Sequence, residues 1–346
     1  MTISRAAQPR TPIDRSGSPL LSVQDLQVEF STSAGVVRAL DGVSFDVRAG
    51  ETVAILGESG SGKSVTAQAI MALLPQPAGS VVGGRILYDG RDLAAEPVRK
   101  VRDLCATEIA MIFQDPLSSL NPVYRVGWQI AELFRRRRGT PKKDAWAKSL
   151  QLLKRVGIPD AETRIRDYPH QFSGGQRQRI MIAMAIALEP KLLIGDEPTT
   201  ALDVTVQQQV MNLLADLQAE SGMGMILISH DLGVVAEVAD RAAIMYAGRI
   251  IETGGIQQVY DHPEHPYTRG LLDSIPSNTS MGERLTPIVG SPPNLLALPS
   301  GCSFHPRCPF ATEMCRTTVP ELRQPEGWSA GHVAACHRSE EVLAHD

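Results

Sequence analysis

Eight residues of this chain have the types and order that cradle a phosphate: Gly57-Glu58-Ser59-Gly60-Ser61-Gly62-Lys63-Ser64. They fit the loop pattern that runs from a first glycine to a Gly-Lys-Ser or Gly-Lys-Thr end. The glycines let the backbone curl so that its N–H groups point inward, where phosphate oxygens sit. A helix that starts at the end of the loop adds partial positive charge. Lys63 is then expected to reach the β- and γ-phosphates of a bound nucleotide, and the Ser64 hydroxyl to hold Mg²⁺. Gly57, Ser59, Gly60, Ser61 and Gly62 are expected to complete the nucleotide contacts.

Asp196-Glu197 follows the apolar run Leu192–Gly195. An acid at the end of a buried strand is the partner a phosphate loop needs, so Asp196 is expected to orient the Mg²⁺ shell beside Ser64. Glu197 is placed to polarise the water that attacks the γ-phosphate. Standing alone, such a pair is a weak signal; downstream of a phosphate loop it becomes a strong one.

These groups need elements to position them. Thr52–Leu56 reads as a buried strand before the loop, and Val65–Leu74 as a helix stopped by Pro75. Leu20–Phe30 and Val36–Val47 alternate like strands joined by a polar turn, an antiparallel layer ahead of the loop. Gly84–Tyr88 reads as a strand, Pro97–Cys105 as a helix, and Glu108–Phe113 as an apolar run ending in Gln114. Leu117–Val126 reads as a surface loop. Helical patterning then runs from Gly127 to Arg166. Ile180–Leu188 is a helix, a further helix runs from Ala201-Leu202-Asp203 to about Ala219, and Met225–Ser229 is a buried strand ending in His230. Strands alternating with helices imply a mostly parallel sheet, and the polar residues sit at the strands' C-terminal ends, where such sheets bind ligands.

Composition narrows the class. The chain has 346 residues and a formal net charge of −4. That balance argues against a protein that coats nucleic acid. No apolar run reaches the length of a membrane-spanning helix. Met1–Pro19 is polar, has no apolar signal region and is expected to be disordered. A cytosolic protein is therefore expected, and its five cysteines then need an explanation other than structural disulfides. Arg135–Arg138 is read as a solvated helix end beside Gly139, with anionic lipid as the alternative.

In order, Gly57–Ser64, Gln114, Phe172–Gln176, Leu192–Glu197, Ala201–Asp203 and His230 resemble the motifs of the ATP-binding subunits of ABC transporters: Walker A, Q-loop, signature, Walker B, D-loop and H-loop. The resemblance covers about Leu20–Glu252. Phe172 departs mildly from the usual leucine. The resemblance implies that Gln114 contacts Mg²⁺ and the water. It implies that Ser173, Gly174, Gly175 and Gln176 close on the γ-phosphate of a partner subunit. Asp203 would cross the dimer interface, with an N-cap role as the rival. His230 would bind the γ-phosphate and order Glu197. Where the family usually places an adenine-stacking aromatic, this chain has Ala34, so Phe30 or Val37 is a candidate contact. Phe113–Pro122, His265–Arg269 and Gly301–Cys308 resemble the dipeptide and oligopeptide importer group, and the Pro/Ser-rich Leu271–Pro299 between the last two reads as a connector.

Cys302, Cys308, Cys315 and Cys336 are spaced C-x5-C-x6-C-x20-C, while Cys105 stands apart. This is not the paired spacing of a zinc ribbon. Four thiols suit a [4Fe–4S] cluster, which the resemblance also implies. The alternatives are zinc, with His305 or His337 helping, and free thiols or regulatory disulfides. A structural or sensing role is expected, not turnover.

The expected fold is α/β: a P-loop NTPase (RecA-like) core with an antiparallel β subdomain, a helical insertion at about 116–185 and a small cysteine-containing extension. Three segments follow: 1–19, a nucleotide-binding domain 20–260, and an extension 261–346. The resemblance implies an ATPase powering di- or oligopeptide uptake from the cytoplasmic face of the membrane. Its partners would be a second, different ABC ATPase, two transmembrane permeases and, through these, an extracytoplasmic peptide-binding protein. Nickel or glutathione cargo, or a soluble ABC ATPase, are the alternatives. No nucleic acid is expected.

Overall fold

The computed structural model describes residues 17–200, 202–274, 288–324 and 330–343. Most of the expected N-terminal segment, Ala201 and much of the 271–299 connector lie outside the described residues. The chain begins with β1 (Leu21–Thr32) and β2 (Gly35–Val47), then β3 (Thr52–Leu56), the phosphate loop and α1 (Lys63–Ile70). β4 (Gly79–Tyr88), β5 (Arg91–Asp92), α2 (Val98–Cys105) and β6 (Ile109–Ile112) follow. Five helices come next: α3 (Pro116–Ser119), α4 (Val126–Arg138), α5 (Lys142–Arg155), α6 (Ala161–Arg164) and α7 (Gly174–Ile186). Then the chain alternates through β7 (Leu192–Asp196), α8 (Val204–Ser221), β8 (Gly224–Ser229), α9 (Leu232–Ala236) and β9 (Arg241–Tyr246). β10 (Arg249–Gly255), α10 (Ile256–Asp261), α11 (Pro266–Asp273), α12 (Glu313–Thr317), β11 (Val333–Ala334) and α13 (Ser339–Leu343) follow, and two 3-10 turns lie at Pro169–Gln171 and His305–Arg307.

The strands form two sheets: an antiparallel one ordered β2-β1-β4-β5, and a larger one ordered β11-β10-β9-β3-β8-β7-β6. From β9 to β6 every pairing in the larger sheet is parallel. Its central strands bury both faces, which is why they read as continuous apolar runs. Val53, Ile55, Ile194, Ile226 and Ile228 face a core shared with the antiparallel sheet. Ala54, Leu56, Leu193, Met225 and Leu227 face a core shared with the helices. The topology leaves the C-terminal ends of β3, β8, β7 and β6 side by side, and the polar motifs follow those ends.

Several boundaries differ from the sequence expectation, each for a local reason. β4 begins at Gly79, not Gly84, because β1 pairs with it as far as Phe30↔Gly79. α1 ends before Leu74, since Ala72 lies in the left-handed region with φ 52°. The expected loop Leu117–Val126 starts inside α3 and ends on the first residue of α4. β9 and β10 form a hairpin whose turn, Ala247-Gly248, has positive φ at both residues. A turn with that geometry normally signals itself as Asn-Gly, and Ala-Gly does not. The C-terminal segment joins the main fold directly. β11 pairs antiparallel with β10, and Tyr267, Leu271 and Phe304 sit in the core shared with the helices. Among the described residues, no helix is long and apolar enough to cross a membrane.

Candidate functional site

The phosphate loop follows β3 directly and closes into α1. Gly57 has φ 149°, and a Cβ there would fall 2.2 Å from the Met245 carbonyl oxygen. Gly62 has φ 107°, and a Cβ there would meet Leu40 at 2.7 Å. Only glycine fits either place, so the loop's tight curl follows from its sequence. Lys63 is buried, and its Nζ donates to the carbonyls of Gly57 at 2.7 Å and Glu58 at 3.0 Å. Burial pushes the Lys63 ammonium below its ordinary pKa, while the charges of Glu197, Asp196 and Glu58 oppose that shift. The Ser61 hydroxyl is buried with no hydrogen-bond partner among the described residues. Ser59 and Gly60 are exposed at the loop's turn.

The Ser64 hydroxyl donates to Asp196 Oδ1 at 2.9 Å, which joins the loop to the end of β7. Burial raises the Asp196 carboxyl's pKa, and the Ser64 hydrogen bond counters it. Glu197 has φ 49°, a conformation rare for a residue with a side chain and one often retained at functional sites. Its Oε2 accepts from Gln114 Nε2 at 2.9 Å and from the Thr200 hydroxyl at 2.8 Å, and His230 Nδ1 lies 3.4 Å away. Residues following β6, β7 and β8 thus meet at one carboxylate oxygen. Thr200 was missed by the sequence reading. Its position three residues after Glu197, in Glu-Pro-Thr-Thr, was the available signal.

The signature segment lies at the start of α7. Ser173 is its N-cap and shares a capping box with Gln176: the Ser173 hydroxyl accepts from the Gln176 N–H at 3.3 Å, and the Gln176 side chain accepts from the Ser173 N–H at 3.1 Å. Arg164 also donates to Gln176 Oε1 at 3.1 Å and lies 4.2 Å from the Phe172 ring centroid. At Gly175, a Cβ would come within 2.6 Å of Val206 on α8. Asp203 caps α8 by accepting from the Val206 N–H at 2.9 Å. Ala34 lies in the β1–β2 turn. The Phe30 ring packs on Gly79, where a Cβ would come within 2.6 Å of it. Arg136 pairs with Glu132 at 2.7 Å and Arg138 donates to the Leu188 carbonyl at 3.0 Å, so the arginine run is a paired helix end.

The iron–sulfur expectation for Cys302, Cys308, Cys315 and Cys336 is corrected by the structure. The four cysteines line one small cavity with Phe304, Phe310, Arg338 and the imidazoles of His265, His305 and His337. Even so, among the described residues no group of three or more His, Cys, Asp or Glu side chains could hold a metal ion, iron or zinc. All five cysteines are free thiols. Burial pushes the Cys308 thiol up to about 11 and Cys336 to about 12. Cys336 Sγ accepts from the Arg338 N–H at 3.3 Å, and Cys315 Sγ lies 3.4 Å from the Thr312 hydroxyl. The thiols thus pack and hydrogen-bond within the wall of that cavity.

Comparison with known proteins places this geometry. Residues 40–200 match the family model described as ABC transporter, and residues 251–315 match the oligopeptide/dipeptide transporter C-terminal region. The oligopeptide transport ATP-binding protein OppD of Salmonella typhimurium is 47% identical over 343 residues, covering 99% of this chain and all of that protein. The dipeptide transport ATP-binding protein DppD of Bacillus subtilis is 51% identical over 301 residues, covering 87% of this chain and 90% of that one. Among solved structures, cbiO1 of Clostridium perfringens, part of an ABC transporter complex, is similar with TM-score 0.60 at 31% identity, over 71% of this chain and 92% of that one. A dimeric ATP-binding cassette bound to ADP and phosphate shares the fold with TM-score 0.62 at 24% identity, over 68% of this chain and 98% of that one.

Proposed function

This chain belongs to the ATP-binding subunits of ABC transporters, in the oligopeptide and dipeptide import group, and from that membership we propose how its residues bind and cleave ATP. It is the ATPase subunit of a peptide importer. The residue assignment rests on one observation: Gln114, Thr200 and His230 converge on Glu197 beside the glycine-rich loop that carries the buried Lys63.

In this reading the loop amides and Lys63 hold the β- and γ-phosphates. Ser64, Asp196 and Gln114 offer the hard oxygen ligands that suit Mg²⁺, and the Ser64–Asp196 contact already gathers two of them. When bound, the ion would neutralise charge spreading over the phosphate oxygens. Glu197 takes the proton of the attacking water, and His230 steadies Glu197 and the γ-phosphate. Ser173, Gly174, Gly175 and Gln176 close on the ATP of a facing subunit, with amides at a helix start suited to that anion. Asp203 sits at the same interface in addition to capping α8.

The wider assembly belongs to the same proposal. A related but different ATPase supplies the second half of the clamp. Two permeases dock beside Gln114 and the exposed Val123, Tyr124 and Trp128, and an extracytoplasmic peptide-binding protein delivers cargo to them. The chain works at the cytoplasmic face, as a nucleotide-binding domain 20–260 with a C-terminal extension 261–346. Glu197→Gln tests the chemistry. ATP binding is expected to persist while hydrolysis falls by about 10²-fold or more; hydrolysis at the wild-type rate would falsify the role of Glu197.

A further inference from the structure

The second residue of the phosphate loop is held by residues from far along the chain. Glu58 Oε2 accepts from Arg307 Nη1 at 2.6 Å and Glu58 Oε1 from Arg307 Nη2 at 3.0 Å, a two-pronged pair between residues 249 positions apart. The Glu58 N–H donates to the Tyr267 hydroxyl at 2.7 Å. Its carbonyl accepts from Lys63 Nζ at 3.0 Å and from the Ser61 N–H at 3.2 Å. One residue therefore links the C-terminal segment to the lysine that reaches for phosphate.

The grip itself is rigid. The Arg307 side chain is only 5% exposed and Tyr267 is fully buried. Tyr246, Tyr267 and Phe304 pack ring against ring, with centroids 4.7 to 5.4 Å apart. Arg307 also donates to the Val289 carbonyl at 3.0 Å and the Tyr246 hydroxyl at 3.3 Å. Glu58, by contrast, stands in a glycine-rich loop whose backbone has many alternatives, with Gly57 at φ 149° and Gly60 at φ 80°. Fixing the Glu58 peptide from outside removes those alternatives before the nucleotide arrives.

We infer that Arg307 and Tyr267 are positioning residues for ATP, holding the phosphate loop in its binding shape through Glu58. The C-terminal segment is then a working part of the nucleotide site, and any event that shifts it is felt as a change in ATP affinity. This rests on the loop binding ATP as proposed above. An ordinary buried counter-ion role for Glu58 predicts something different, namely lost stability with unchanged affinity.

ATP binding to the purified full-length chain decides between them. Arg307→Ala is expected to weaken ATP binding about tenfold, within the usual range of coupling between linked sites. Its KM for ATP rises in step, and kcat stays within about twofold, because no reacting group is touched. Glu58→Gln is expected to act similarly, and the double variant to be no worse than Arg307→Ala, because each acts through the other. Arg307→Lys recovers only part of the loss, since an ammonium cannot match the fork. A folded Arg307→Ala that binds ATP within twofold of wild type overturns the inference, as does an additive double variant. Should Arg307→Ala not fold, Tyr267→Phe and Glu58→Gln decide, and wild-type affinity in both overturns it. A failure of the ATP reading is separate: it appears as equal ATP binding by wild type and Lys63→Ala.

Discussion

Two clusters of reactive side chains were legible in this sequence, and folding treats them in opposite ways. At the nucleotide site, Gln114, Asp196, Glu197 and His230 follow the ends of parallel strands, where side chains reach past the sheet and stay within hydrogen-bond reach of one another. In the C-terminal segment, four cysteines lie much closer together in sequence, between Cys302 and Cys336, and line one small cavity. The first environment keeps acids and a lysine facing each other. Burial penalises the charged form in both places, but at Lys63 the charges of Glu197, Asp196 and Glu58 oppose it, whereas the Cys308 and Cys336 thiols are pushed up. Spacing brings groups together; the walls around them decide whether they carry charge, and so whether they do chemistry.

The largest expected effect lies on the nucleotide side. Asp196→Asn keeps the side chain's size and its contact with Ser64 but removes the negative charge. ATP hydrolysis in the presence of Mg²⁺ is expected to fall about a hundredfold, since charge on the ligand set is what positions the ion. Far-UV circular dichroism should be unchanged. Steady-state ATPase assays check this, and a wild-type rate would break the contrast between the two clusters.

Some parts of the molecule were easier to read than others. The central strands announced themselves because both faces are buried, so Thr52–Leu56 and Met225–Ser229 are unbroken apolar runs. The phosphate loop was legible because only glycine fits at Gly57 and Gly62, and sterics leave a mark in sequence. Asp203 as an N-cap was legible for the same local reason. What stayed hidden depended on distance. Nothing near Glu58 announces Arg307, and nothing in Ala247-Gly248 announces a hairpin. The cysteine spacing misled because it records nearness along the chain and not how the side chains are arranged, and among the described residues no group of three or more could hold a metal ion.

A middle-sized effect sharpens the contrast within the C-terminal segment. Glu264 is fully buried, and neither carboxylate oxygen has a hydrogen-bond partner among the described residues. Glu252 lies beside it, accepting the Glu264 N–H at 2.8 Å, and His332 Nδ1 is 3.4 Å from Glu264 Oε1. Burial raises the Glu264 carboxyl to about 7, with His332 opposing and Glu252 reinforcing. The folded state therefore binds a proton that the unfolded state releases near 4.5. Its stabilising contribution is complete below about pH 4.5 and is lost as pH rises to about 7. Relative to Glu264→Gln, the wild type is expected to lose about 3 kcal/mol across that window. Urea unfolding of both proteins at several pH values measures it, and parallel curves would show that the carboxyl ionises freely.

The smallest effect tests the thiols directly. Cys315→Ala and Cys336→Ala each remove one buried sulfur and one weak hydrogen bond, at an expected cost of about 1 kcal/mol. In a chain of this size that is a fall of about 2 °C in the thermal midpoint. A metal ligand would behave otherwise. Losing one would release the ion and forfeit folding energy many times larger, and a chelator alone would reproduce the loss. The expected result is a small shift for each variant, none for chelator, and ATP hydrolysis within about twofold of wild type, since neither cysteine touches Glu58 or the strand ends. A chelator-sensitive midpoint would mean the cavity wall does not keep these thiols neutral, and the difference drawn between the two clusters would fail.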